Sequence, residues 1–193
     1  MNHIEGSTLT HDQTVQIFDR ATFSGTATVD DIVEARNHFR AFDYVLDTWD
    51  EPLSSDYLRA MHRILKSGTA DAANPVMAVG EFKKFSNVIG GAVSDVETAS
   101  PEDVPHLVGD LIDSYEGKSV RQFEDIVRFH RELERIHPFS DGNGRVGRLV
   151  MFKECLRAGI APFIITEATY MPMAKEFMCV LRDTRRFPKR HEP

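Results

Sequence analysis

The chain has 193 residues, is 41% hydrophobic and carries a formal charge of −7, which suits one globular domain with a well-buried core. That acidic balance speaks against a broad footprint on nucleic acid, which draws on clustered Lys and Arg, and no apolar run nears the roughly 20 residues that span a bilayer. The opening MNHIEGSTLT has neither the basic nor the apolar region of a secretory signal, and the two cysteines, Cys155 and Cys179, lack metal or redox spacing and read as packing residues, so the expectation is a cytoplasmic protein with no nucleic-acid or membrane partner.

Helical start and stop signals recur along the chain while period-two alternation is nearly absent, so the predicted class is all-α. Thr10 with Gln13 makes a capping box before a helix carrying Val15, Ile17 and Phe18, and Thr28 caps a longer one through Ile32, Val33, Phe39, Phe42 and Leu46. Tyr57, Leu58, Met61, Ile64 and Leu65 follow helical spacing between Ser54 and Lys66, and Gly68 sits at the left-handed stop. The stretch VMAVGEFKKFSNVIGG, 76–91, breaks short apolar pieces with glycine and Ser-Asn. It predicts a small β-hairpin that leans on the helices as a flap.

Ser100, Pro101 and two acids open the next helix, through Val104, Leu107, Val108, Leu111 and Ile112 to Gly117. Ser119 and Gln122 begin another, with Phe123, Ile126, Val127, Leu133 and Ile136 along its buried stripe, and it delivers the chain to His137. Beyond a glycine turn, Val146, Leu149, Val150, Phe152, Cys155 and Leu156 line a helix that stops at Gly159. The basic run RDTRRFPKRHEP near the end reads as a solvated terminus. No repeat or linker divides residues 1–193.

The chemistry concentrates in HPFSDGNGRVGR, 137–148. Gly142, Asn143 and Gly144 at the mouth of a helix expose backbone N–H groups with no intrahelical partner, where the dipole adds positive charge. That is an anion site, and Arg145 and Arg148, three apart, face the same region. Asp141 has the wrong charge for a phosphate unless a cation stands between them, so the set implies a magnesium nucleotide. His137, with an ordinary pKa of about 6.5, suits a general base near neutral pH. The turn follows a helix instead of a strand and lacks a Walker lysine, which argues against dinucleotide and P-loop sites. His130 and His137 share a helical face without a third ligand, which argues against zinc.

HPFSDGNGRVGR resembles the signature of the Fic family, H-x-F-x-[D/E]-G-N-G-R-x-x-R, at all eight specified positions. GEFKKFSNVIGG looks like that family's flap. The resemblance extends from about residue 1 to about residue 165, and it implies a Fic-type helical bundle with a small hairpin flap. Fic enzymes mostly move AMP from ATP to a hydroxyl side chain of a target protein. By motif position, His137 would activate a target Ser, Thr or Tyr, Asp141 would hold magnesium, Gly142, Asn143 and Gly144 would form the anion hole, Arg145 would steady the phosphates, and Arg148 would bind the γ-phosphate.

The flap, Phe82, Lys83, Lys84, Phe85, Ser86 and Asn87, would align the target by strand addition. Many Fic proteins carry an inhibitory helix, [S/T]-x-x-x-E-[G/N], whose glutamate pairs with the second motif arginine. NHIEG supplies Glu5 and Gly6, with Met1 at the Ser/Thr position, so residues 1–23 would form the inhibitory region with Glu5 on Arg148. Relatives commonly end in a helix with paired tyrosines, whereas residues 166–193 hold a lone Tyr170 followed by Pro172, a diverged tail. The alternatives are a hydrolase that removes AMP from a modified protein at the same site, a nucleotide-binding regulatory protein without turnover, and transfer of another group such as UMP. The motif reads phosphates and not the base, and a homodimer is compatible with all of these.

Overall fold

The computed structural model describes residues 10–20, 25, 27–89 and 96–162. Among these the chain is mostly helical with one short strand pair. Helix α1 spans His11–Arg20 and α2 spans Val29–Asp47, each opened by a reciprocal cap, Thr10 with Gln13 and Thr28 with Asp31. Helix α3, Ser55–Lys66, starts where the Ser54 hydroxyl accepts the Tyr57 N–H at 3.0 Å. It ends at Gly68, whose φ of +73° is the left-handed stop expected from the sequence. A one-turn helix α4, Ala70–Ala73, follows. Strands β1, Val88–Ile89, and β2, Val96–Glu97, pair antiparallel. Helices α5 (Val104–Glu116), α6 (Phe123–Ile136) and α7 (Asn143–Arg157) complete the order.

Helix α7 is the central post. Val146, Leu149, Val150, Met151 and Cys155 are all buried on it, and it packs on α6, α2 and α3. A helix apolar over so much of its circumference needs neighbours on several sides. Those neighbours contribute Ala41 and Val45 of α2, Leu58, Met61 and Leu65 of α3, Val104 and Val108 of α5, and Phe129 and Leu133 of α6 to one core cluster. Helices α6 and α7 approach closely at Gly147, where a Cβ would lie 2.6 Å from Glu134 Oε1 and 2.9 Å from His130 Nδ1.

Buried charge ties the far end of the post. Lys153 and Glu154 form an ion pair of 2.8 Å with almost no exposure, and the Tyr115 hydroxyl donates to Glu154 at 3.0 Å. Glu116 receives Arg157 through two bonds of 2.6 and 3.0 Å, Arg121 at 2.7 Å and the Leu53 N–H at 2.9 Å. Such pairing is what makes buried charge tolerable.

Several elements depart from the sequence reading. The hairpin expected over 76–91 keeps only its first strand there: its partner is 96–97, and Pro75–Met77 is a 3₁₀ turn capped by the Asn74 side chain. Asn-Pro starts a turn more readily than a strand. Helix α5 begins at Val104, after a turn over 101–103 in which the Ser100 hydroxyl donates to the Asp103 carboxylate. Helix α6 is capped at Gln122, whose N–H donates to Asp125 at 3.1 Å, and Ser119 lies outside it. Val15, Leu46 and Phe123, expected on buried stripes, are at least 40% exposed. Cys179 and the diverged tail lie outside the described residues.

Candidate active site

Helix α6 ends where its own geometry turns over. His137, its C-cap, holds the left-handed conformation with φ 55° and ψ 62°, and its N–H donates to Leu133 O at 3.0 Å. A non-glycine residue in that region is uncommon and is retained where its surroundings enforce it. Here Pro138 cannot continue the helix, and Phe139 is buried completely as an apolar plug. The ring of Phe139 stacks on His62 of α3, with centroids 4.1 Å apart, and leans on Phe82 at 5.8 Å.

Asn143 then fastens the loop on itself. Its side-chain oxygen accepts the Phe139 N–H and its amide donates to the Phe139 carbonyl, both at 2.8 Å. The side chain thereby satisfies both backbone groups of a buried residue. Gly142 caps α7 with φ +77°, and helical bonding opens from Val146 N–H to Gly142 O. The amides of 143 to 145 stand before that first bond, at the positive end of the helix. The Asn143 side chain is therefore a loop brace, and what this turn presents at the mouth of α7 is backbone amides.

The His137 ring is partly buried, and its Nδ1 lies 3.4 Å from the Glu134 carbonyl. A carbonyl only accepts, so this contact puts the proton on Nδ1 and leaves the lone pair on Nε2. Burial first, then the Lys83 ammonium, holds the imidazole down to about pKa 4, against opposing contributions from Glu134 O and Asp141. At neutral pH the ring is uncharged and able to accept a proton.

Asp141 is half-exposed and bonded to Lys66 Nζ and, at 3.2 Å, to Arg145. Burial would raise its pKa, but Lys66, Arg145 and the Gly142 amide together hold it below the ordinary carboxylate range. Arg145 also binds Glu34 of α2. Glu34, Asp71 and Asp141 each bring an oxygen to within 4.8 Å of the others. Hard oxygen donors of this kind suit magnesium, so Asp141, the one beside the turn, fits the role of its ligand. Arg148, buried on α7, stands near His38 of α2 and His130 of α6, whose pKa values are pushed to about 4 by burial first and then by its charge.

The flap divides by residue. Lys83 is buried: its backbone N–H donates to Pro138 O at 2.8 Å, and its ammonium bonds Asn87 and Thr98, each at 2.6 Å. Burial depresses its pKa to about 8. Asn87 donates to the Phe139 carbonyl at 3.0 Å, and Phe82 is partly buried. Lys84, Phe85 and Ser86 point to solvent, with Phe85 at 59% exposure. Glu5 and Tyr170 lie outside the described residues.

His62, Glu34, Lys66 and Asp71 were not singled out by sequence. His62 Nδ1 accepts the Gly80 N–H at 3.0 Å, and Lys66 Nζ bonds Glu34 and Asp71, each at 2.7 Å. An HxxxK pair on one face of α3 was the available signal, but in isolation it reads as an ordinary polar face.

The family model described as Fic/DOC family matches residues 52–155. The protein adenylyltransferase Fic of Drosophila willistoni is 31% identical over 168 residues, covering 84% of this chain and 32% of that protein. That of Aedes aegypti is 31% identical over 169 residues, with the same shares. The chain thus spans about a third of the length of these curated relatives. A Fic-domain-containing signaling protein from Bacteroides thetaiotaomicron superposes with a TM-score of 0.83 at 27% identity, covering 92% of this chain and 67% of the other. A Fic family protein from Desulfovibrio desulfuricans gives 0.69 at 28% identity, covering 94% and 51%.

Proposed function

This chain is a member of the Fic/DOC family, and from that premise we propose that it is a protein adenylyltransferase, moving AMP from magnesium ATP to a Ser, Thr or Tyr hydroxyl of a target protein. The observation that carries the reading is His137: neutral, with Nε2 left as the acceptor, at the lip of the turn that opens the N-terminus of α7.

The target hydroxyl oxygen bonds to the α-phosphorus while its proton passes to His137 Nε2, and the bond from that phosphorus to the pyrophosphate oxygen breaks. Backbone amides at 143 to 145 would donate to phosphate oxygens, and Arg145 and Arg148 would neutralise the departing pyrophosphate. Asp141 would hold the magnesium ion, which when bound supplies positive charge to the phosphates. Lys84, Phe85 and Ser86, the exposed flap residues, would lie beside the target segment and hold its hydroxyl in line. The mechanism is positioning and electrostatics, with no covalent enzyme intermediate.

Glu5 completes the proposal as a restraint that pairs with Arg148 and keeps the γ-phosphate from its productive place; the motif E-G near the start of the chain supports it. Each 1.4 kcal/mol in that latch changes the competent population about tenfold. The test is incubation with α-labelled ATP and magnesium. Glu5→Gly should label itself or a lysate protein more strongly than the native chain, and His137→Ala should label nothing. No label from Glu5→Gly overturns transferase activity, and release of AMP from an AMP-modified protein in its place would identify a hydrolase.

A further inference from the structure

Lys66 is a strange neighbour for a metal ligand. Its side chain is 3% exposed and its ammonium meets three carboxylates on three different elements: Glu34 of α2 at 2.7 Å, Asp71 of α4 at 2.7 Å, and Asp141 of the motif loop. An ammonium has three hydrogens and no acceptor, so all of its bonding capacity is used here. Glu34 is shared with Arg145, which also reaches Asp141. Among the described residues, three carboxylates thus face two cations.

We propose that Lys66 is a resident counter-cation of Asp141, which competes with the divalent ion for that carboxylate and sets the ion concentration at which the site fills. The inference rests on Asp141 being the metal ligand. Its physical basis is an exchange of partners: when Asp141 turns to an incoming ion, Lys66 stays bound to Glu34 and Asp71 and is not left buried and unpaired, the outcome that makes breaking a buried pair costly. Asp141, the most exposed of the three carboxylates at 51%, is the one able to leave. Lys66 is therefore a positioning residue that acts through Asp141. A nucleotide must bring its ion in with enough affinity to displace an ammonium, which favours the preformed metal–nucleotide complex over the free ion.

The test is titration of manganese into the full chain with a non-hydrolysable ATP analogue, following free manganese by electron paramagnetic resonance. Lys66→Met should lower the midpoint about tenfold or more, since it removes a full charge in contact with the ligand. Asp71→Asn should raise it, because Lys66 then has one carboxylate fewer to fall back on. Lys66→Arg should stay near the native midpoint. A Lys66→Met midpoint within twofold of the native one overturns the inference. Should that variant not fold, Asp71→Asn decides, and an unchanged or lowered midpoint overturns it. Asp141→Asn separates the two claims: if it leaves manganese binding intact, the metal assignment fails and the inference with it. If it abolishes binding while the Lys66 and Asp71 variants change nothing, the inference alone fails.

Discussion

His62 lies face to face with Phe139, the two rings 4.1 Å apart and 18° from parallel, and the same imidazole accepts the Gly80 N–H through Nδ1. One side chain of α3 therefore seats the apolar plug of the motif loop and fixes the base of the flap. His62→Ala should destabilise the protein by about 3 kcal/mol, through the lost packing of a fully buried ring together with an unsatisfied buried donor. His62→Phe retains the stack and should cost about half as much. Chemical denaturation with a common slope for all variants measures both.

The second expectation concerns acid. His38, His62, His130 and His137 all have folded pKa values lowered to about 4, with burial the largest cause in each. The unfolded chain takes up these protons near pH 6.5. A depressed folded pKa contributes stability that is whole above the unfolded value and is lost as pH falls towards the folded one. Thermal midpoints should accordingly decline as pH falls from about 6.5 to 4. His62 alone accounts for an upper bound of about 3 kcal/mol, and His62→Phe should flatten that decline.

Asn143 makes a prediction that separates it from a phosphate ligand. Asn143→Ala leaves the buried Phe139 N–H without its acceptor and the Phe139 carbonyl with Asn87 alone, and should cost about 1 to 3 kcal/mol. Asn143→Asp keeps an acceptor for the N–H but turns an oxygen towards the Phe139 carbonyl, so it should not restore stability. If either variant melts like the native chain while losing nucleotide affinity, the side chain serves the ligand and not the loop.

At Gly142 the prediction is the reverse, a small change in stability with a large one in binding. An added Cβ meets His62, Arg145 and Lys66 only at 3.6 to 3.8 Å, ordinary contact distances, so the cost of Gly142→Ala comes from its φ of +77° and should be about 1 kcal/mol. The methyl group sits at the mouth of the turn, where a phosphate needs the bare backbone. Calorimetry should show ATP affinity falling at least tenfold.

For His137 the measurement is the pH profile of transfer. A base with its pKa near 4 stays in working form well below pH 6, so kcat/KM should show no acidic limb near the ordinary histidine value. His137→Ala should lower the rate at least a hundredfold at every pH. A limb at pH 6 to 7 that disappears in that variant would assign the base a normal pKa.

How far the sequence went differs by kind of residue. Helices with strong end signals were legible: Thr28 and Gly68 act as local chemistry says they should. The motif loop was legible because its demands are local too, a left-handed glycine, a helix mouth and a proline exit. What was hidden depends on contacts distant in sequence. Lys66, at the end of a helix, is indistinguishable by composition from a solvated C-terminal cation, and only the convergence of Glu34, Asp71 and Asp141 makes it buried. Lys83 and Asn87 sit in a stretch that reads as an exposed flap, yet they turn inward because Thr98 and Phe139 supply their partners. The bonds of the Asn143 side chain to the Phe139 backbone were likewise hidden, because nothing local in the sequence distinguishes a loop brace from its glycine neighbours.

The carbonyl of Phe139 receives two amides at once, Asn87 from the flap and Asn143 from the first turn of α7. With both lone pairs taken, this oxygen works as a rivet between the flap and the motif turn, two surfaces that under the proposed function would handle different molecules. A polypeptide laid on the flap and a nucleotide seated over the turn would share one mechanical reference, so the separation of acceptor hydroxyl from phosphorus is set by two side-chain amides and not by either substrate. Loosening either amide should blur which hydroxyl of a target is chosen before it slows the reaction.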